Sequence, residues 1–183
     1  MRFNRALYGG NSAFRVEAGD LPEFALYMPG MGGNLKFGLI ANEKSKWLID
    51  AQHIETRYRP GSMIYKIEDT ILKNGYLLIT VLAVYDFEGI IIKAEAVNIP
   101  ANIKLFAAFG GASGTKFSRD GDIGADPESS FYLKPEYCKD NIFQLDKNTF
   151  SLHYGFTRAL TDDERYEIEH LPGQKKDSTN KNV

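Results

Sequence analysis

The sequence has one cysteine, one tryptophan and no apolar run long enough to cross a bilayer, and each scarcity removes a class of protein. With Cys138 alone, no disulfide can form within the chain, so a stapled scaffold is excluded and a buried thiol is its expected state. A membrane-spanning helix needs about 20 consecutive apolar residues. The opening MRFNRALYGG also lacks the apolar centre of a signal peptide. Charge of one sign is missing too: 22 Lys and Arg stand against 24 Asp and Glu, a net charge of −2. No field gathers a polyanion, so nucleic acid and anionic membrane surfaces are not expected partners. His53, His153 and His170 are too far apart to form a metal-ligand pair, so no zinc site is expected.

What is present describes an autonomous globular domain. At 183 residues, with 43% hydrophobic and 25% charged side chains, the chain can bury its own core without a metal or a bridge. Residues 1–170 are read as one domain. Residues 171–183, which include QKKDSTNKNV, are polar and lack apolar period, as in a tail or the start of a linker.

Period-two alternation recurs along the domain. Phe14, Val16 and Ala18 oppose Arg15 and Glu17, and Leu35, Phe37 and Leu39 share a face that excludes Lys36. The same pattern predicts strands over 23–28, 54–59, 63–68, 76–85, 90–97, 103–109, 142–145 and 150–154. Turn chemistry separates them: Pro29-Gly30, Gly32-Gly33, Pro60-Gly61, Asn74-Gly75 and Asp86-Phe87-Glu88-Gly89. These connections are too short for crossover helices, so neighbours pair antiparallel and the fold class is all-β, a sandwich or a barrel. One short C-terminal helix is expected, opened by the capping-box spacing of Thr161 and Glu164 and ended before Pro172-Gly173. The run YLLITVLAVY, residues 76–85, is apolar on both faces, which predicts a cover over each.

The sharpest motif runs from Ile103 to Glu128, where IKLFAAFGG opens into ASGTKFSRDGDIGADPE. Gly110 to Lys116 is not a phosphate loop, because Gly114-Thr115-Lys116 transposes the required order and no helical pattern follows. A Gly-permitted bend between strands is the expectation there, with Ser113 a turn serine. Asp120, Asp122, Asp126 and Glu128 are a set of loop carboxylates. The three aspartates could converge on calcium, or form ordinary Asx turns, and any two of the four carboxylates could serve as a glycosidase acid and base. Aromatic residues make up 13%. Trp47, Tyr58, Tyr65, Phe117 and Tyr132 neighbour polar or turn segments and are the candidates for exposure, and all but Tyr65 are candidates for sugar stacking.

The strings NRALYGGNSAFRVEAGDLPEFALYMPGMGGNLKFGLI (residues 4–40) and FGGASGTKFSRDGDIGADPESSFYLKPEYCKDN (residues 109–141) resemble an uncharacterised family of amino-terminal domains from gut-type bacteria. In that family the domain heads a large secreted or periplasmic protein linked to glycan breakdown. The architecture is also similar to the super-β-sandwich that precedes an (α/α) toroid in several glycoside hydrolase and phosphorylase families. There the toroid carries the acid and base. The resemblance therefore implies a non-catalytic accessory module that packs on a companion catalytic domain, near a glycan or oligosaccharide, with no cofactor of its own unless calcium binds. Two other readings stand beside it: a small glycan hydrolase or lyase using the loop carboxylates, and a β-barrel binder of small ligands.

Overall fold

A computed structural model of the chain describes residues 4–12, 14–28, 31–42, 44–113 and 141–153. Among these residues, twelve strands follow in order: β1 (Asn4–Leu7), β2 (Arg15–Gly19), β3 (Glu23–Met28), β4 (Met31–Ala41), β5 (Lys44–Trp47), β6 (His53–Arg59), β7 (Ser62–Glu68), β8 (Tyr76–Ala83), β9 (Ile90–Val97), β10 (Ile103–Ser113), β11 (Ile142–Asp146) and β12 (Thr149–His153). Two 3-10 turns, Leu48–Asp50 and Thr70–Leu72, punctuate the connections. All the pairings are antiparallel.

The chain builds one layer, crosses to the second and returns. Strands β1-β2-β3-β4-β10 lie side by side, with β5 also on β4; β6-β7-β8-β9 make the second sheet, and β11-β12 a separate hairpin. The expected all-β antiparallel sandwich is the fold. Its layers are separate sheets around a filled core, not the closed sheet around an empty interior that a barrel binder requires.

Alternation selects what fills that core. Met63, Tyr65 and Ile67 on β7 stand opposite Val81, Ile79 and Leu77 on β8, and all six are buried. Val16, Ala18 and Phe24 face them from the first sheet. Phe24 meets Tyr65 edge to face at 5.7 Å between ring centroids, a geometry that the ring quadrupoles favour. Tyr65 is 0% exposed, which corrects its expected place on the surface. Its polar tip explains how a tyrosine can lie there: the hydroxyl donates to the Gly19 carbonyl oxygen at 2.9 Å, in the other layer. Thr56 Oγ1 adds a parallel link to the Asp20 carbonyl oxygen. Burial, with the Asp20 and Glu23 carboxylates nearby, holds the Tyr65 phenol above its ordinary range, so it remains a donor.

Three further expectations change. Gly32-Gly33 and Gly110-Gly111 are not turns but cross-strand neighbours within β4 and β10, and Ser113 is the last residue of β10, opposite Met31. Glycine is used there for close approach, since a Cβ at Gly33 would collide with the ring of Phe109. The second face of β8 is half-buried, with no second layer over it among the described residues. Leu78 sits between Lys66 and Glu95, and the long stems of such residues cover apolar surface while their charges stay in water. The expected helix near Thr161 and the tail from residue 171 lie outside the described residues, as does Cys138.

Candidate functional site

Strand β4 changes partner at its midpoint. One edge pairs with β3 over residues 31–36 and with β5 over 38–41, while β10 lines the whole of the other edge. Gly38 therefore has Trp47 on one side and Phe106 on the other, in one row of the ladder. Both side chains close over it: their ring centroids are 5.0 Å apart at an interplanar angle of 54°, and a Cβ at Gly38 would collide with the Phe106 ring. Glycine is the residue that lets the two rings meet on an otherwise open face. Trp47, the sequence's single tryptophan, is 37% exposed, and Ile40 extends the same face.

The other predicted aromatics do not join this pair. Tyr58, at the end of β6 in the second sheet, is 51% exposed, with the Arg5 guanidinium 5.5 Å over its ring. Phe117, Tyr132 and the carboxylates Asp120, Asp122, Asp126 and Glu128 lie outside the described residues. Among the described residues, no three His, Cys, Asp or Glu side chains converge as a metal site. No described helix is long and apolar enough to span a membrane.

Three residue pairs further along the β4–β5 hairpin, roughly 10 Å at the rise of a strand, a groove of about 530 Å³ opens at the end of the sandwich. Three separate segments wall it: the β4–β5 turn with Asn42 and Lys44, the second 3-10 turn with Thr70, Ile71 and Lys73, and the β9–β10 crossover with Pro100 and Asn102. Ala41, Ile71, Pro100 and Ile103 give it half-buried apolar walls, and the polar groups stand exposed at its rim. Asn102 Nδ2 donates to Asn42 Oδ1 at 3.3 Å, tying two of the three walls together.

The third wall is fixed by a buried carboxylate that the sequence reading did not single out. Asp69 caps the 3-10 turn by accepting from Ile71 N at 3.0 Å; it also accepts from Gln52 N at 3.0 Å and from Lys46 Nζ at 2.6 Å. It thus binds β5, the crossover between sheets and the groove wall into one unit. Burial alone pushes this carboxyl upward, but the Ile71 amide, the Lys46 ammonium and the Gln52 amide outweigh it and hold it below its ordinary value. All three ties favour the ionised form, which makes Asp69 a structural anion and not a proton donor. Immediately beyond the turn, Lys73 adopts φ 57° and ψ −117°, a conformation costly for any residue with a side chain. Two residues on, Gly75 allows a close approach to the end of β9, because a Cβ there would run into the carbonyl oxygens of Val97 and Asn98.

A family model described as a domain of unknown function, DUF4450, matches residues 28–179. The chain belongs to that family. Trp47, Phe106 and every residue of the groove fall inside the matched span, whereas β1, β2 and all but the last residue of β3 precede it. No curated protein and no solved structure matches the chain.

What sequence reasoning missed at this site is Phe106, Asp69 and the groove residues. An isolated glycine in a strand is a recognisable sign of close approach, and Gly38 carried it. The groove gave no local sign, since its walls come from segments about 30 residues apart in sequence.

Proposed function

We propose that this chain is a non-catalytic accessory module of a larger carbohydrate-active protein, which packs on a companion catalytic domain and presents a saccharide-facing surface. The observation that carries this reading is the Trp47–Phe106 pair, with Trp47 exposed and Phe106 half-buried beside it. Rigid, amphipathic rings held on strands lose little conformational freedom on binding and offer π faces to the C–H faces of a sugar. Leu105 at 40% exposure, with Phe143 and Leu145 on the exposed hairpin, is apolar surface for the companion domain to cover. Family membership agrees with the resemblance to an uncharacterised domain family; an amino-terminal place in a larger protein, the glycan setting and a periplasmic or secreted location belong to the proposal.

The test is a titration of the folded chain with a panel of oligosaccharides, together with an assay for released reducing ends. The reading expects saturable binding without cleavage, and at least a tenfold loss of affinity in Trp47→Ala. Efficient cleavage by the isolated chain, or no binding to any saccharide, would overturn it.

A further inference from the structure

The groove beside the aromatic pair has a definite chemical bias. Among the described residues, its lining contains two lysines and no acidic residue. Lys46, two residues from Lys44 in sequence, is spent on Asp69. Lys44 and Lys73 have no carboxylate partner among the described residues, so the described part of the rim carries two lysine charges on a chain whose net charge is −2. The amide pair sharpens the bias. Asn42 uses its oxygen to accept from Asn102, which leaves its own NH2 donors for a ligand. The unspent polar capacity is therefore mostly donor: two ammonium groups and one amide NH2, against the Asn102 oxygen as acceptor, the Thr70 hydroxyl being turned to Asp69 Oδ1. Ile71, Pro100 and Ile103 supply apolar wall for the non-polar face of a ring. The volume lies within the roughly 300–1,000 Å³ of small-molecule sites.

Two features show that the rim is held in place and not merely decorated. Asp69 anchors the wall that presents Thr70, Ile71 and Lys73, and the backbone at Lys73 is kept in a strained conformation beside the groove. Asn42, in the left-handed region at φ 56°, is tied across to Asn102.

We propose that this groove binds an anionic saccharide, one bearing a carboxylate or a sulfate ester, with Lys44 and Lys73 pairing the charge and Asn42 donating beside them. The proposal rests on the saccharide reading above and names the substrate class. Calorimetric titration tests it with three size-matched probes: an oligogalacturonide for carboxylate, a chondroitin sulfate oligosaccharide for sulfate, and a cello-oligosaccharide as the neutral control. The proteins are the unaltered chain, the double variant Lys44→Gln/Lys73→Gln, and Asn42→Asp, which places an acid in the rim at a backbone conformation that aspartate tolerates. The expected result is binding of one or both anionic probes that falls at least tenfold in both variants and weakens as salt is raised. Whichever anionic probe binds more tightly assigns carboxylate or sulfate. Equal affinity for the neutral probe, unchanged in the double variant, would overturn this inference while leaving the saccharide reading intact. Competition by inorganic sulfate alone, with no oligosaccharide binding, would remove the saccharide from the groove. No binding of any probe would overturn both readings.

Discussion

The two ends of strand β4's neighbourhood behave differently. Toward β2 and β3, the first sheet meets β7 and β8 through Phe24, Val16 and Tyr65, and the Tyr65 hydroxyl that enters is answered by the Gly19 carbonyl oxygen. Toward β5 and β10, the same sheet leaves Trp47, Ile40 and Leu105 at the surface and opens a groove with Lys44 and Lys73 at its rim. One part is committed to stability; the other has rings and charges that the fold does not consume. Asp69 joins them, because it is buried like the core yet positions the groove wall.

Breaking the committed part should unfold the molecule. Tyr65→Ala removes a ring that bridges the layers and is expected to cost about 4 kcal/mol, read by chemical denaturation. Next comes the joint: Asp69→Ala leaves the Ile71 and Gln52 amides and the Lys46 ammonium unanswered, at about 3 kcal/mol. The pH dependence has a definite sign. The folded carboxyl titrates below the roughly 3.9 of an unfolded aspartate, so its contribution is present above about pH 4 and is lost as pH falls through the folded value. Denaturation curves of Asp69→Ala and the unaltered chain should therefore converge on acidification, and a gap that stays constant to pH 2 would contradict this role.

Smaller effects sharpen the contrast. Gly38→Val drives a side chain into the Phe106 ring and should cost about 2 kcal/mol by overpacking, while also separating Phe106 from Trp47, visible as a changed tryptophan emission. Tyr65→Phe deletes only the hydroxyl and should cost about 1 kcal/mol. Trp47→Ala should change stability least, by less than about 1 kcal/mol, and saccharide affinity most. A Trp47→Ala protein as unstable as Tyr65→Ala would place that indole in the core account.

Alternation made most of the fold legible. Residues 23–28 and 90–97 are strands at the bounds expected, and β7 begins one residue early, at Ser62. Strands β1 and β5 were missed because NRAL and KSKW are short and carry too few apolar residues to show a period; the ladder to β2 and β4 makes them strands. The paired glycines misled because glycine marks both turns and close approaches, and only the position of Phe109 distinguishes them at Gly33. Tyr65 was misassigned from its polar neighbours, although Met63 and Ile67 already placed it on the buried face. Trp47 and Tyr58, two of the candidates for exposure, are exposed. Their separation in different sheets, and the assembly of Asn42, Thr70, Lys73 and Asn102 at one end, are properties of strand order, which no single window of sequence contains.

Because Trp47 is the chain's single tryptophan, its fluorescence reports on the open part of the molecule alone. Titration with oligosaccharides, read at that indole, is the direct measurement. The account predicts a saturable change in emission that disappears when Gly38→Val displaces Phe106, while the fold persists. Saccharide binding that leaves the Trp47 signal untouched, or a signal that responds to no saccharide, would contradict it.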